Sequence, residues 1–312
     1  MNYSIIYGSN GQDGQILKNQ LRTKKIPIIN ISREFIVIEN IERKKLLNNY
    51  KSIKLLQNYP IGYIYYFSAI SRSSQFKNND SVINQLESNF IDFFNLIKIL
   101  ISANQYPKVF FASSSLVFEN SELNIVDENT IRNPTSFYAK TKIMGEYFCD
   151  SLNENGIESY TGILFNHESI YRQKDFLFPK IINTALKAKN QDQTISLKMG
   201  DPNIKIDVGY APEFVEIIQL LIDSGKPGTY IISTNTVITI KEIIEYIKKI
   251  FEIEENLVIE YDTNLLIRKR KDIMGKNSKL ENAVMKKPKI FKKKLLEKLC
   301  QDYKNAEKNI LI

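Results

Sequence analysis

The 312-residue chain is poor in the residues that build metal sites and disulfide scaffolds. It has two cysteines, Cys149 and Cys300, and a single histidine, His167. Two cysteines make no disulfide framework, and without a Cys/His cluster no metal site is expected. Long apolar runs are missing too: none approaches the roughly 20 residues that span a bilayer. Met1-Asn2 leads straight into the apolar stretch Tyr3 to Tyr7, with no basic segment of the kind that opens a secretory leader. The expectation is a reduced, cytoplasmic protein with no membrane insertion. There is no zinc finger, aromatic RNA-binding motif or basic zipper, so nucleic acid is not an expected partner.

Positive charge and apolar residues are plentiful. A net charge of +8 fits an anionic partner such as a phosphorylated small molecule. Lysine, asparagine and isoleucine are abundant along the whole length, however, and compositional bias is the simpler reading. The densest basic stretch, Arg268 to Lys294, reads as a solvated C-terminal face. Hydrophobic residues make up 43% of the chain, enough for a sizeable core in one large domain or two smaller ones.

Strands are predicted at Tyr3 to Tyr7, Pro27 to Ile31, Tyr63 to Phe67, Val109 to Ala112, Ser159 to Phe165 and Thr229 to Ser233. Helices are predicted at Gln15 to Arg22, Arg43 to Leu56, Val82 to Asn104, Tyr138 to Asn153, Phe176 to Lys189, Pro212 to Ser224 and Ile240 to Phe251. Strands alternating with helices at this spacing predict right-handed β-α-β units, hence an α/β fold with a parallel sheet. No repeat or linker interrupts the pattern, so the domains are expected to interleave.

Gly8-Ser-Asn-Gly-Gln-Asp-Gly14 lies between the first strand and the first helix. Glycine has no Cβ, so the backbone can turn sharply and approach a pyrophosphate seated at the helix N-terminus. NAD-binding folds often end the second strand with an acid for the ribose 2′-hydroxyl, whereas an arginine accommodates a 2′-phosphate. Here that strand ends Asn30-Ile-Ser-Arg33, and Glu34 follows. Arg33, helped by Ser32, favours NADP(H), with NAD(H) as second choice. Tyr138-Ala-Lys-Thr-Lys142 places a phenol and an ammonium one helical turn apart. The cation is expected to favour the phenolate and draw the tyrosine pKa down from near 10. Such a pair can pass the proton of an alcohol–ketone conversion.

The glycine spacing, the run Ser113-Ser-Ser115 and the Tyr138/Lys142 pair together resemble an extended short-chain dehydrogenase/reductase. The likeness narrows with the glycine loop and with Gly162-Ile-Leu-Phe-Asn-His-Glu-Ser169, followed by Arg172, Phe176 and Lys180. Both motifs resemble the GDP-mannose 4,6-dehydratase family, over most of the chain and less after about Ile195. The resemblance implies a Rossmann-type doubly wound parallel sheet for NADP(H) at residues 1–165, with a returning segment near 203–235. It implies a smaller, mixed α/β C-terminal domain at 166–312 for a nucleotide-diphosphate sugar.

Residue by residue, the resemblance implies that Tyr138 is the catalytic acid/base. Lys142 is its partner and a ligand of the nicotinamide ribose, and Ser114 is the hydroxyl that bonds the reacting sugar oxygen. For the cofactor it implies Gly8, Asn10, Gly11, Gln12, Asp13 and Gly14, then Asn40 at the adenine. It adds Ser68 and Ala69 after the fourth strand, Leu164, and His167 beside the nicotinamide. For the substrate it implies Ser115, Asn166, Arg172, Lys180 and Arg270. Asn89 reads as a structural residue bonding backbone, and Phe90, Phe93 and Phe94 as core or dimer packing. The helices near Val82 to Asn104 and Tyr138 to Asn153 match those that pair in relatives, which implies a homodimer or homotetramer.

Two departures shape the expected reaction. Members of that family carry an acid two residues after the Ser/Thr, where it removes the carbon-5 proton once carbon 4 is oxidised. Leu116 stands there. Leucine moves no proton, and loss of a general base costs roughly 10²–10⁴-fold. Glu119 could substitute only with a change of local geometry. Epimerase-reductases similar to fucose synthase use a cysteine at this position and a later histidine, where this chain has Leu116 and Phe176. Ser114, Tyr138 and Lys142 remain, and they suffice for hydride transfer with one proton. The expectation is an NADPH-dependent reductase of a 4-keto, 6-deoxy hexose or heptose nucleotide, GDP-linked, in surface-polysaccharide biosynthesis. A 4,6-dehydratase with another base, or a sugar-nucleotide 4-epimerase, is the alternative. Further on, relatives place an arginine before the aspartate that leads to Gly209-Tyr-Ala211, and here Ile206 precedes Asp207. Lys205, one residue back, would face the other side of the strand.

Overall fold

The computed structural model describes residues 2–32, 35–39, 44–47, 50–70, 80–191, 194–262 and 272–310. The candidates Arg33, Asn40 and Arg270 lie outside the described residues. β1 (Tyr3–Tyr7) is an almost wholly buried run that leads through the glycine loop into α1 (Gln12–Thr23). A strand covered by helices on both faces reads as continuous apolar sequence. β2 (Ile28–Ile31) returns parallel to β1.

The chain then departs from expectation. The Ser32 amide donates to the Phe35 carbonyl at 2.9 Å, and β3 (Ile36–Glu39) runs back antiparallel to β2. β4 (Lys44–Leu47) adds antiparallel to β3, and a 3₁₀ segment follows at Tyr50–Asn58. The helix predicted over Arg43 to Leu56 is therefore corrected to a strand and a 3₁₀ segment. Ile36 and Ile38 are buried while Val37 and Glu39 are half-buried, the period of a strand. The β-branched run Ile36-Val-Ile38 favours that geometry.

β5 (Ile61–Tyr66) pairs with the other side of β1. α2 (Asp80–Leu86), a π-helical turn at Glu87–Ile91 and α3 (Asp92–Ser102) form the next helical stretch. β6 (Lys108–Ser114) ends in a 3₁₀ turn at Ser115–Phe118, followed by β7 (Ile125–Val126) and α4 (Phe137–Glu154). β8 (Ser159–Leu164) lies beside β6, and β9 (Asn166–Glu168) pairs outside the main sheet. Next come α5 (Leu177–Gln191), β10 (Ile195–Met199), β11 (Lys205–Ile206), β12 (Val208–Tyr210) and α6 (Ala211–Ser224). β13 (Gly228–Ile232) returns to the main sheet. β14 (Ile238–Thr239), α7 (Ile240–Phe251), β15 (Leu257–Tyr261), β16 (Met274–Gly275), α8 (Ser278–Val284) and α9 (Lys292–Ile310) complete the chain.

The main sheet has the order β13-β8-β6-β5-β1-β2-β3-β4. Its strands are parallel from β13 to β2, and β3 and β4 are antiparallel. The winding reverses between β1 and β5, where successive connections leave the C-terminal strand ends in opposite directions and open a crevice. Apolar side chains of α1 and α6 pack on one face, and those of α3 and α4 on the other. A third cluster joins α5, α7 and α9 to β10 and β15. Among the described residues, no helix is long and apolar enough to cross a membrane.

Candidate active site

The crevice contains a cavity of about 600 Å³. The glycine loop forms one wall. Gly8 has φ +88°, the left-handed region, and a Cβ there would meet the Ser68 amide nitrogen at 2.8 Å. At Gly14 a Cβ would lie 2.4 Å from the Gly8 carbonyl oxygen. Gly11 caps α1 with no side-chain hydrogen bond, and the first turn, Gln12 to Gly14, lines the cavity with the amide end of the helix. This is the donor set and the close backbone approach that a pyrophosphate requires. The loop therefore fits a dinucleotide.

The opposite wall is built by β6 and α4. Ser136 starts α4 by accepting a hydrogen bond from the Ala139 amide at 3.3 Å. Gly145 lets the helix settle on the sheet, because a Cβ there would fall 2.1 Å from Phe111 Cζ. That close approach delivers Lys142 to the strand ends. Its Nζ donates to Ala112 O at 2.8 Å and to Ser68 O at 3.3 Å. Tyr138, one turn earlier, is hydrogen-bonded to Ser114, and the Lys142 Nζ lies 5.8 Å from its ring centroid. Ser114 Oγ also accepts from the Leu116 amide at 3.3 Å, which fixes the main chain after the strand and leaves the Leu116 side chain lining the cavity.

The electrostatics correct one expectation. Burial pushes the Tyr138 phenol up, not down, against the pull of the Ser114 hydrogen bond and the Arg172 charge. Burial also draws the Lys142 amine down to about 7, with Glu146 opposing that fall. A buried site penalises the charged form of both groups. Tyr138 is therefore a neutral phenol, a proton donor, at neutral pH.

The two sequence motifs meet in space. His167 Nε2 lies 3.0 Å from both Asp13 carboxylate oxygens, and its Nδ1 lies 2.7 Å from Phe165 O. Gln12 Nε2 donates to His167 O at 3.0 Å, and Ser169 Oγ donates to Gln12 Oε1 at 3.0 Å. Burial works against charge on His167, but Asp13 more than offsets it and the histidine pKa rises. Burial works against charge on Asp13 too, yet the His167 charge and hydrogen bond hold its carboxyl below the ordinary value. Acceptors at both ring nitrogens suit an imidazolium, in line with the raised pKa. The pair latches the glycine loop to β9 and leaves neither nitrogen for proton transfer.

The cavity brings together most of the predicted residues: Asn10 to Gly14, Ala69, Ser114, Ser115, Tyr138, Lys142, Leu164, Asn166, His167 and Arg172. Gly8, Ser32, Ser68 and Lys180 do not line it. Ser32 is tied to Phe35, Ser68 stands behind Lys142 and bonds Ser88, and Lys180 donates to Lys198 O at 3.0 Å. Asn89 holds the Ile70 backbone, as the sequence suggests, and donates to Thr141 Oγ1. Ile206 lines the cavity while Lys205 is exposed, in keeping with the alternation of a strand. The sequence pattern did not reveal Glu168. It is 5% exposed and lines the cavity, and burial pushes it up to about 7. One of its oxygens has no hydrogen-bond partner, and the other is 3.6 Å from Arg172 Nε. The i,i+4 spacing to Arg172 was the available signal.

A family model described as GDP-mannose 4,6 dehydratase matches residues 5–310. The chain belongs to the GDP-mannose 4,6 dehydratase family. Among curated members of this family, GDP-mannose 4,6 dehydratase 1 of Arabidopsis thaliana is 28% identical over 177 residues, 56% of this chain and 49% of that protein. The human GDP-mannose 4,6 dehydratase is 28% identical over 154 residues, 49% of this chain and 41% of that protein. The matches thus span about half the length of these relatives or less. Among solved structures, RMD from Pseudomonas aeruginosa complexed with NADPH superposes with a TM-score of 0.81 at 18% identity, covering 98% of this chain and 100% of that one. UDP-glucose 4-epimerase from Thermotoga maritima gives 0.79 at 16% identity, covering 98% and 99%. dTDP-glucose 4,6-dehydratase from Bacillus anthracis gives 0.77 at 16%, covering 99% and 98%. These three share with this chain the fold, a Rossmann-type doubly wound sheet.

Proposed function

We propose that the protein is an NADPH-dependent reductase of a 4-keto, 6-deoxy hexose or heptose nucleotide, GDP-linked, that serves surface-polysaccharide biosynthesis. Leu116 carries the reading. It lines the cavity beside Ser114 and Tyr138, where a dehydratase of this family would present its acid. Glu119 offers no replacement: it is 8% exposed, accepts a hydrogen bond from Thr135 and stands outside the cavity wall.

The glycine loop and Lys142 would hold NADP(H), with residues 1–165 and the returning segment as its domain and 166–312 as the sugar-nucleotide domain. When bound, NADPH supplies the hydride. Ser114 and Tyr138 donate hydrogen bonds to the ketone oxygen, and Tyr138 gives its proton to the alkoxide as it forms. Lys142 and these two hydroxyls stabilise the developing negative charge. The apolar side chains of Leu116, Phe176, Ile204 and Ile206 line the same cavity and suit a sugar face without a 6-hydroxyl.

One observation favours a second reading, a 4,6-dehydratase. Glu168, pushed up to about 7 with one oxygen unpartnered, is a carboxyl in the same cavity that could serve as the base for elimination. The deciding experiment mixes the protein with NADPH and a freshly made GDP-4-keto-6-deoxy sugar, beside Tyr138→Phe, with GDP-mannose plus NADP in a parallel tube. NADPH oxidation by wild type alone is the expected result. A 4-keto product from GDP-mannose that disappears in Glu168→Gln, without NADPH oxidation, would replace the reductase with the dehydratase.

A further inference from the structure

Glu146 is a buried charge with no part in the reading above. It is 5% exposed and sits on α4 two turns beyond Tyr138 and one beyond Lys142. Ser113, the residue before Ser114 on β6, donates its hydroxyl to Glu146 Oε1. On the other oxygen, Arg132 Nε donates at 3.1 Å. Arg132 is itself fixed, through Nη1 to Glu128 O at 2.7 Å and to Thr130 O at 2.8 Å, with its guanidinium 5.1 Å from the Phe118 ring centroid. Burial pushes the Glu146 carboxyl up, and the hydrogen bonds that both its oxygens accept, with the Arg132 charge, work against that rise. One residue thus ties together the strand end that carries Ser114, the helix that carries Tyr138 and Lys142, and the segment before that helix.

A second observation concerns Lys142. Its ammonium is solvated by two neutral carbonyls, Ala112 O and Ser68 O, and the Phe111 ring lies 4.9 Å away. Among the described residues, the charged group that acts on it is Glu146, which opposes the effect of burial. Asp150, one turn further along α4, and Arg132 act on Glu146. A buried ammonium with no carboxylate nearby tends to lose its proton.

We propose that Glu146 is a positioning residue for the reaction: through Ser113 it holds the β6 end that carries Ser114, and, one turn beyond Lys142 on the same helix, it is the counter-charge to the Lys142 ammonium. A glutamate that only stabilised the fold would lower the melting temperature when replaced but would leave the Lys142 titration where it is. The kinetic part of this proposal rests on the reductase reading; the titration does not.

The test uses the full chain labelled with ¹³C,¹⁵N-lysine, with the Lys142 side-chain signal assigned by its loss in Lys142→Met. Wild type is expected to titrate near 7. In Glu146→Gln the midpoint is expected to fall by roughly one pH unit, and Glu146→Asp should restore most of it. The alkaline limb of kcat for NADPH oxidation should move down with it. An unchanged Lys142 midpoint in a folded Glu146→Gln protein would overturn the proposal. If that variant does not fold, Arg132→Gln carries the test. Without its guanidinium partner Glu146 holds its proton to higher pH and weakens as a counter-charge, so the Lys142 midpoint again falls, and an unmoved midpoint again refutes. If wild type oxidises no NADPH with any keto-sugar nucleotide, the proposed reaction fails while the titration still decides the role of Glu146.

Discussion

The latch between Asp13 and His167 can be measured by a double-mutant cycle of Asp13→Asn and His167→Gln. The imidazole is 3.0 Å from both carboxylate oxygens, and the two side chains are 9% and 16% exposed. Removing one partner of a buried ion pair costs about 3–5 kcal/mol. Arg172 also attracts Asp13, and glutamine returns one donor, so His167→Gln should fall at the low end, about 3 kcal/mol. That figure includes about 0.5–1 kcal/mol from the His167–Phe214 ring stack, whose centroids are 4.9 Å apart. The cycle removes the stack and leaves a coupling of about 2 kcal/mol. The sign with pH follows from the two shifts. The folded histidine binds its proton more tightly than the unfolded one, so its contribution is complete below the ordinary value of about 6.5 and is lost as pH rises through the raised folded value. Asp13, held low, contributes above about pH 4 and loses that contribution as pH falls through its folded value. Once neutral, His167 has one N–H for two acceptors, Phe165 O and Asp13, and one contact must fail. Urea unfolding of the four proteins at about pH 6 and pH 9 reads the coupling, and the cycle cancels Lys142 and Glu168, which titrate in the same range. A coupling equal at both pH values, or near zero at the lower one, would refute the ionic latch.

Other substitutions test the architecture. Gly14→Ala forces a Cβ to within 2.4 Å of the Gly8 carbonyl and 2.7 Å of Ser9 Cα, so the loop must open. NADPH affinity, read by fluorescence titration, should drop roughly 5- to 150-fold, the equivalent of about 1–3 kcal/mol of overpacking. Gly145→Ala drives a methyl into the Phe111 ring and should lower the unfolding free energy by about 1–3 kcal/mol in urea, with a matching fall in turnover as Lys142 is displaced. Tyr147 is 69% exposed on α4, beside Met144 at 40%, and Ile83 on α2 is 59% exposed. If these helices pair between copies, Tyr147→Asp should turn a dimer into a monomer by light scattering; a monomeric wild type would remove the expectation.

The parts of the site that were legible in the sequence are local in sequence. The glycine loop, Tyr138 with Lys142, and Ser114 each depend on neighbours within a turn or a loop, and periodicity reports such neighbours directly. Asp13 and His167 are 154 residues apart, so their pairing could be implied only by resemblance and never by spacing. Ser113 and Arg132 converge on Glu146 from different elements, and no pattern along the chain announces that. The antiparallel pair β3 and β4 was missed for another reason. Lys44-Lys-Leu-Leu47 has no distinctive period over so few residues, and the decisive signal, the β-branched run before it, lay outside the helix as drawn.

The family and the fold leave the reaction open, because a structure bound to NADPH, an epimerase and a dehydratase superpose on this chain with TM-scores of 0.81, 0.79 and 0.77. The difference must therefore lie in side chains that the shared backbone carries. Position 116 is well placed to make it. The Leu116 amide is bonded to Ser114 Oγ, so the main chain there is held by the same hydroxyl that would bond the substrate oxygen. A change of side chain at 116 alters which groups face the sugar without moving Ser114, and α4 independently holds Tyr138 and Lys142 through Gly145 on Phe111. On the proposed reading, hydride transfer and proton abstraction would thus rest on separate supports, and one could be lost while the other stayed intact. The second carboxyl in the cavity, Glu168, is held on β9 beside Arg172, a support unrelated to either. If the proposed reading holds, that independence makes Leu116 and Glu168 the two positions at which substitution should separate reduction from elimination within one unchanged fold.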